Sequence, residues 1–211
     1  MAANSGGRLA MQLQEYFDQL APTWDQELTG ERLKCLGNIV KELVVKPGYC
    51  VLDIGSGTGV LLPFLIAELG DEGKIVALDF SAEMLIQAQA KNFPSIIGFA
   101  QADVLAIPLA DNSVDLAICN SVFPHFDDKA RALKEIARVL RNNGRLVICH
   151  TMSRRMVNQL HQSIGGVVAN ALLPPEFQLR ELIKQAGLRV IHFEDSPDRY
   201  LVTAEKSAAD V

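Results

Sequence analysis

The segment 51–59, Val-Leu-Asp-Ile-Gly-Ser-Gly-Thr-Gly, constrains the fold more than any other stretch of the chain. Its apolar and β-branched first half is typical of a buried parallel strand. Gly55, Gly57 and Gly59 follow at alternate positions, and an apolar helical stretch, 60–69, begins directly after them. Glycine permits a tight turn with close backbone approach, and a helix N-terminus behind such a turn commonly faces a ligand. The segment predicts the first strand, turn and helix of a doubly wound sheet, where ligands bind beyond the strand ends.

The glycine spacing argues against a dinucleotide ligand. The dinucleotide fingerprint is G-x-G-x-x-G, whereas this chain has G-x-G-x-G, with Val60 where the third glycine of the fingerprint would fall. Asp53 lies two residues before the first glycine, and a carboxylate is poorly placed beside a pyrophosphate. A ligand with a cationic amino-acid end and no phosphate suits that acid better.

The same segment resembles motif I of the class I S-adenosylmethionine-dependent methyltransferases, a hydrophobic strand ending in D-x-G-x-G-x-G. Two further stretches resemble the type 11 group of that family, which includes ubiquinone and menaquinone biosynthesis enzymes. They are Tyr-Phe-Asp-Gln-Leu-Ala-Pro-Thr-Trp-Asp at 16–25 and Glu-Ile-Ala-Arg-Val-Leu-Arg-Asn-Asn-Gly-Arg-Leu-Val-Ile at 135–148. The resemblance implies an enzyme that uses S-adenosyl-L-methionine and releases S-adenosyl-L-homocysteine.

Hydrophobic periodicity predicts one α/β domain over residues 1–211, a length suited to a single core. We expect a doubly wound, Rossmann-like, seven-stranded and mostly parallel sheet, with helices on both faces and an antiparallel C-terminal edge hairpin. The predicted strands are 51–54, 74–79, 96–100, 114–120, 145–150, 188–193 and 200–204, and the clearest helices are 127–142 and 176–186.

Candidate cofactor residues come from one spacing argument and from the resemblance. Asp79 closes the second strand 24 residues after the first glycine, close to the separation at which an acid reaches ribose hydroxyls. The resemblance implies that Asp53 and the turn hold the amino-acid end, that Asp103 and Val104 bind adenine, and that Asn120 lies near the sulfonium. The full predicted cofactor set is Asp53, Gly55, Ser56, Gly57, Gly59, Asp79, Phe80, Met84, Asp103, Val104, Asn120, Tyr16 and Trp24.

Two segments are candidates for covering the site. The resemblance implies that the N-terminal cap segment, 1–28, folds over the cofactor and helps to close the acceptor pocket. The alternative is that Tyr16, Phe17 and Trp24 only anchor a cap helix to the core. Residues 151–176 read as less regular, and we expect them to form an acceptor lid or, alternatively, only a crossover connection.

Two histidines fall where the acceptor should bind. His125 follows the fourth predicted strand and His150 ends the fifth, so either could act as a general base or contact the acceptor. The alternative is a histidine bonded to a neighbouring loop, because methyl transfer often needs no base. His150, His161 and Cys149 match no known ligand spacing, and we expect no metal.

Composition limits the partners and the location. A formal charge of −5 and a pI near 5.4 disfavour nucleic acid and favour a small-molecule methyl acceptor. The first 20 residues lack a signal-peptide core, and no stretch approaches 18 continuous apolar residues. The four cysteines form no C-x-x-C pair and read as reduced thiols. We therefore expect a cytoplasmic protein without a membrane span, and no feature of the sequence indicates an oligomeric state.

Three other functions stay open from the sequence. A non-catalytic homologue would bind S-adenosylmethionine and transfer nothing, and this alternative stands because the best-supported residues all belong to the cofactor side. An NAD-dependent oxidoreductase is disfavoured by the glycine spacing and by Asp53. A nucleic-acid or protein methyltransferase is disfavoured by the acidic balance and the lack of a basic patch.

Overall fold

The computed structural model describes residues 5–208, so residues 1–4 of the predicted cap segment and residues 209–211 lie outside the described part. Its sheet has seven strands in the order β3-β2-β1-β4-β5-β7-β6. The strands are β1 Cys50–Ile54, β2 Lys74–Asp79, β3 Ile97–Gln101, β4 Val114–Asn120, β5 Leu140–His150, β6 Leu188–Asp195 and β7 Tyr200–Lys206.

The first five strands run parallel, and the last two form an antiparallel hairpin at one edge. β1 lies between β2 and β4, with Leu52 opposite Val76 on one side and Ala117 on the other. β7 pairs antiparallel with both β5 and β6. This arrangement confirms the predicted fold class.

Helices cover both faces of the sheet because alternate strand residues point to opposite sides. On β1, Val51 packs into the core cluster formed with α2 and α3, whereas Leu52 and Ile54 pack into the cluster formed with α5 and α7. The helices are α1 Ser5–Leu20, α2 Gly30–Glu42, α3 Leu62–Leu69, α4 Ala82–Gln89, α5 Lys129–Val139, α6 Arg154–Ile164 and α7 Glu176–Gln185.

The N-terminal segment lies across the carboxyl edge of the sheet. Helix α1 continues into a 3₁₀ helix, Ala21–Glu27, with Pro22 in its first turn. Leu13 of α1 packs on Val168 and Ala171, which belong to the segment after α6. This third and smallest core cluster connects the N-terminal segment to the predicted acceptor lid.

The predicted end of the fifth helix was wrong by three residues. Helix α5 ends at Val139 rather than at residue 142, and Leu140 already pairs with Val114 as the first residue of β5. The register between β4 and β5 then shifts, and Asn143 takes the left-handed conformation with φ +61°. The Asn143-Gly144 turn signal is therefore an irregularity inside a long strand.

Residues 151–176 contain a regular helix that periodicity did not single out. Helix α6 begins after Ser153, whose side chain accepts a hydrogen bond from the backbone N–H of Met156, and it ends at Gly165. The prediction of a less regular segment was wrong for residues 154–164. The capping serine and the four-residue spacing of Val157 and His161 were the available signals.

Neither a membrane-spanning helix nor a paired cysteine occurs in residues 5–208. None of the helices there has the length and apolarity needed to cross a bilayer. Cys119 and Cys149 are buried, Cys35 and Cys50 are half-buried, and all four are free thiols.

Candidate functional site

A cavity of about 480 Å³ opens at the carboxyl edge of the parallel strands. The turn after β1 and the ends of β2, β4 and β5 form its floor. Residues 16–36 wall it on one side, and α6 walls it on the other, from Val157 to Ile164. Its size lies in the range typical of small-molecule sites, and its place at the strand ends is the one that the fold predicts. We call it the central cavity.

The glycine turn needs glycine for two different reasons. Gly55 has φ +66°, and a Cβ there would lie 2.3 Å from Cγ2 of Val122, so close packing excludes any side chain. Gly57 has φ +55°, but the nearest atoms to its hypothetical Cβ are Nε1 of Trp24 and Sδ of Met84, both 3.9 Å away. Gly57 therefore borders open space, where a ligand can approach the backbone closely.

The backbone N–H groups of this turn are bonded inside the protein. Those of Gly55 and Ser56 donate to the carbonyl oxygen of Leu78 at 2.8 and 3.0 Å. That of Gly57 donates to a carboxylate oxygen of Asp79 at 2.8 Å. A phosphate-binding turn needs such N–H groups free to face the anion. The turn is consequently not arranged as a pyrophosphate cradle.

Asp79 ties the glycine turn to the end of β2 and lines the central cavity. Its second carboxylate oxygen accepts from the backbone N–H of Ser81 at 2.9 Å, and only 5% of the residue is exposed. Burial raises the pKa of Asp79 above its ordinary value, and the backbone N–H groups oppose that rise. Each oxygen keeps a second lone pair, so the carboxylate can still accept from two vicinal hydroxyls. The ribose contact stays a prediction.

Asp53 lies directly before the turn and is 1% exposed. Neither of its carboxyl oxygens has a hydrogen-bond partner within residues 5–208. Burial, with a smaller contribution from the charge of Asp79, raises the pKa of Asp53 to about 7. Asp53 does not line the central cavity, so its side chain does not face a ligand bound there directly. Its role towards the amino-acid end of the cofactor stays a prediction.

The central cavity brings together most of the predicted cofactor set and leaves out part of it. Asp103 and Val104 do not line it; Asp103 instead accepts from the backbone N–H of Leu105 at 2.9 Å and caps a short 3₁₀ helix. Their adenine contacts remain a prediction. The predicted residues that do line the cavity are Tyr16, Trp24, Gly55, Ser56, Gly57, Asp79, Phe80, Met84 and Asn120.

Aromatic packing holds the N-terminal segment over the cavity. The ring of Phe17 lies edge-on to four other rings, with centroid distances between 5.1 and 5.9 Å: those of Tyr16, Trp24, Phe80 and His125. Such pairs add to the free energy gained by burial. The aromatic residues therefore anchor the cap and line the cavity at once, and their contact with a ligand stays a prediction.

Polar contacts connect the same segment to the cofactor side. Asp25 accepts from the hydroxyl of Thr58 in the glycine turn and lies 2.6 Å from Nζ of Lys91. The hydroxyl of Ser81 donates to the carboxylate of Asp18. We call these two contact groups the cap latch. They place residues 5–27 directly over the turn and the start of α4.

Three histidines meet in the wall of the central cavity. His125 and His161 have ring centroids 4.8 Å apart, and His150 lies at the end of β5 nearby. Desolvation, together with the neighbouring imidazoles, lowers the pKa of His125 and of His150 to about 3. Nδ1 of His125 and Nε2 of His150 have no hydrogen-bond partner in the described chain. At these two nitrogens, therefore, neither histidine is bonded to a neighbouring loop.

Sequence reasoning named residues 151–176 as a candidate acceptor lid but identified neither helix α6 nor the side chains that line the cavity. Met152, Val157, Leu160 and His161 line the cavity from this segment, and His161 is only 9% exposed. Recognition of the α6 helix would have placed Val157 and His161 on one face, because residues four apart share a side. Across residues 5–208, no group of three or more His, Cys, Asp or Glu side chains is arranged to hold a metal ion.

Comparison with known proteins gives two family matches. Residues 52–148 match the model described as a methyltransferase domain. Residues 6–95 match the model of protein-L-isoaspartate (D-aspartate) O-methyltransferase. The two matches overlap at the glycine turn and at the end of β2, where the central cavity has its floor.

Curated relatives resemble parts of the chain. The demethylmenaquinone methyltransferase of Corynebacterium kroppenstedtii is 41% identical over 110 residues, which make up 52% of this chain and 44% of that protein. The arsenite methyltransferase of Halobacterium salinarum is 30% identical over 162 residues, which make up 74% of this chain and 41% of that protein. The chain thus spans less than half the length of these two relatives.

A solved structure resembles nearly the whole chain. The S-adenosylmethionine-dependent methyltransferase from Aquifex aeolicus superimposes with a TM-score of 0.73 and 25% sequence identity. The match covers 90% of this chain and 98% of that one.

Proposed function

Since this chain belongs to the type 11 group of class I S-adenosylmethionine-dependent methyltransferases, we propose that it transfers a methyl group from this cofactor to a small-molecule acceptor. The observation that carries the proposal is the central cavity, which joins the glycine turn and Asp79 to an apolar compartment under α1 and α6. Cofactor and acceptor can therefore meet in one enclosed space.

The cofactor side fits S-adenosylmethionine better than a dinucleotide. The N–H groups of Gly55, Ser56 and Gly57 are bonded within the protein, which suits a ligand without phosphate. The unpartnered carboxyl group of Asp53 is electrostatically complementary to a cationic amino group bound above the turn. Asp79 retains the lone pairs that a ribose diol needs.

The chemistry requires positioning more than side-chain catalysis. S-adenosylmethionine supplies a methyl carbon that its sulfonium makes electrophilic. The glycine turn and Asp79 hold the cofactor in place, and the cap aromatic residues exclude water from the reacting atoms. Asn120 lies where β4 ends and lines the cavity.

A small-molecule acceptor agrees with three features of the chain. Residues 16–36 wall the cavity on one side, and its volume of about 480 Å³ suits a small ligand rather than a folded macromolecule. The net charge of −5 gives no attraction to nucleic acid. Two of the curated relatives are named for a menaquinone precursor and for arsenite, which are small molecules.

Isothermal titration tests the cofactor assignment first. We expect saturable binding of S-adenosylmethionine, no binding of NAD, and loss of S-adenosylmethionine binding in Asp79→Ala. The control is Glu72→Ala, an exposed acid in the turn before β2, which should bind as the wild type does. Circular dichroism shows whether Asp79→Ala is folded; if it is not, the comparison of the two cofactors on the wild type decides.

The titration separates the remaining alternatives. Binding of NAD without binding of S-adenosylmethionine would contradict the proposal and favour an oxidoreductase. Binding of S-adenosylmethionine without methylation of any phenol, thiol or amine in a screen would favour a non-catalytic homologue.

A further inference from the structure

We infer that His161, through Nε2, is the group that accepts the proton of the methyl acceptor. The inference rests on the proposed function and adds a residue that sequence reasoning had considered only for a metal site. It is carried by three observations: the hydrogen bond that fixes the ring, the position of the ring in the cavity wall, and the environments of the other two histidines.

The hydrogen bond of His161 fixes which nitrogen is free. Nδ1 lies within hydrogen-bonding distance of the backbone carbonyl oxygen of Ala171, and a carbonyl can only accept. Nδ1 must therefore carry the ring hydrogen. In the neutral imidazole the lone pair then resides on Nε2, the nitrogen that a proton acceptor uses.

The segment around Ala171 is itself held against α6. The side chain of Asn158 donates to the carbonyl oxygen of Leu173 at 3.1 Å and accepts from the N–H of Leu173 at 2.8 Å. Asn158 lies one helical turn before His161, so helix and carbonyl keep a fixed distance. A ring held in this way needs little reorganisation when it accepts a proton.

The ring of His161 borders the central cavity beside apolar acceptor-side residues. Val157 and Leu160 of the same helix line the cavity with it. Nε2 carries no hydrogen bond to any residue in the range 5–208. A hydroxyl or thiol group that enters under α6 thus meets a free lone pair.

His125 and His150 are poorly suited to the same task. Desolvation lowers the pKa of each to about 3, because an imidazolium in either position would lose its hydration. Both rings stay neutral at physiological pH, where they can offer polar contacts to an acceptor. Neither carries a hydrogen bond that fixes its tautomer, whereas His161 does.

The proton balance of the step is simple. Nε2 of His161 receives the proton of the acceptor's heteroatom as that heteroatom forms its new bond to the methyl carbon. The carbon–sulfur bond breaks, and its electron pair stays on sulfur, which leaves S-adenosylhomocysteine as a neutral thioether. The imidazolium then releases the proton to water at the cavity mouth.

The first test is spectroscopic and needs no turnover. Long-range ¹H–¹⁵N spectra of histidine-labelled protein, assigned with His161→Asn, should show His161 as the Nδ1–H tautomer. Addition of phenol to protein saturated with S-adenosylhomocysteine should then shift the Nε2 resonance of His161. An Nε2–H tautomer, or an Nε2 resonance that phenol leaves unmoved, would overturn the inference. Failure of S-adenosylhomocysteine to bind would count instead against the proposed function.

The second test compares two variants and two acceptors. An Asn amide nitrogen can occupy the place of Nδ1 and keep the bond to Ala171, so His161→Asn keeps that bond and removes Nε2 with the outer part of the ring. We expect it to lower the methylation rate of phenol by roughly 10²- to 10⁴-fold, the usual contribution of a general base. The rate with 4-nitrophenol, assayed where it is already ionised, should fall less than about 10-fold.

The control arm keeps a structural effect apart from the chemical one. His161→Asn should bind S-adenosylmethionine as the wild type does, because His161 lies on the acceptor side. His125→Asn should slow both acceptors by similar factors. Equal losses on phenol and 4-nitrophenolate in His161→Asn would show that the ring only shapes the cavity and would overturn the inference.

Discussion

Gly55 and Gly57 both adopt the left-handed conformation, yet a methyl group added to each meets a different environment. At Gly55 the methyl would overlap the side chain of Val122, and at Gly57 it would project into open space between Trp24 and Met84. The two positions form a matched pair, because the backbone penalty for alanine is similar and only the surroundings differ.

We predict that alanine at Gly55 mainly lowers stability, whereas alanine at Gly57 mainly weakens cofactor binding. Gly55→Ala should lower the free energy of unfolding by about 3 kcal/mol, the sum of a left-handed alanine and an overpacked contact. Gly57→Ala should lower it by only about 1 kcal/mol, and it should weaken S-adenosylmethionine binding at least 10-fold. Urea unfolding and isothermal titration measure the two effects. Equal losses of stability, with cofactor binding kept by Gly57→Ala, would contradict the role of the open space.

Residue-scale prediction succeeded where the chain itself sets the geometry. The glycine turn and Asp79 at the strand end both follow from local sequence, and the structure places both as expected. The environment of His161 did not follow, because it depends on Ala171 in a separate segment. No periodicity reveals a contact between a helix and an irregular segment ten residues away.

At the scale of elements, the cap made of α1 and its 3₁₀ extension is held by aromatic packing and by the cap latch. Asp25 and Lys91 are 44% and 34% exposed, so their ion pair adds less than about 1 kcal/mol to global stability. Its effect falls instead on the local opening of residues 5–27, which have few other polar contacts with the sheet.

We predict that Asp25→Ala loosens the cap without unfolding the protein. Amide hydrogen exchange in residues 16–27 should speed up by roughly 3- to 5-fold, while exchange in β1, β4 and β5 should stay as it is. The control is Glu15→Ala, an exposed position on helix α1 of the same cap. Mass spectrometry of peptic peptides measures both. Unchanged exchange in the cap would show that the aromatic contacts alone keep it closed.

The strands were predictable because helices cover both faces of the sheet, so each buried strand appears in the sequence as an apolar run. The boundary between α5 and β5 was not, since Leu140 serves equally well as the last helical residue or as a strand residue opposite Val114. Only the pairing with β4, which the local sequence does not contain, decides between the two.

At the scale of the whole molecule, the buried acid Asp53 makes stability depend on pH. Its pKa is about 7 in the folded state and 3.8 as an ordinary value, so between these pH values the folded chain holds a proton that the unfolded chain has lost. The free energy of unfolding therefore falls as the pH rises through this window, by at most roughly 4 kcal/mol from this group. Asp79, whose pKa is also raised, contributes in the same direction.

We predict that Asp53→Asn is more stable than the wild type at pH 8 and equally stable near pH 4. The gain at pH 8 should be about 2 kcal/mol, less than the full linkage, because the buried amide also lacks a partner. Urea unfolding at several pH values measures it, with Glu72→Gln as an exposed control. Curves for Asp53→Asn and wild type that run parallel from pH 4 to 8 would contradict a raised pKa at Asp53.

The floor and the roof of the central cavity differ in the substitutions that they would tolerate over evolutionary time. The floor is a backbone turn whose shape a single added methyl disturbs at Gly55, and its loss would cost the fold itself. The roof, formed by α6, presents exposed side chains such as Leu160 and Ile164, which do not take part in the packing of the sheet. Amino-acid substitutions on the roof can therefore accumulate one at a time while the floor keeps its shape for cofactor binding. A scaffold divided in this way lets one lineage explore many acceptors without ever passing through an unfolded ancestor.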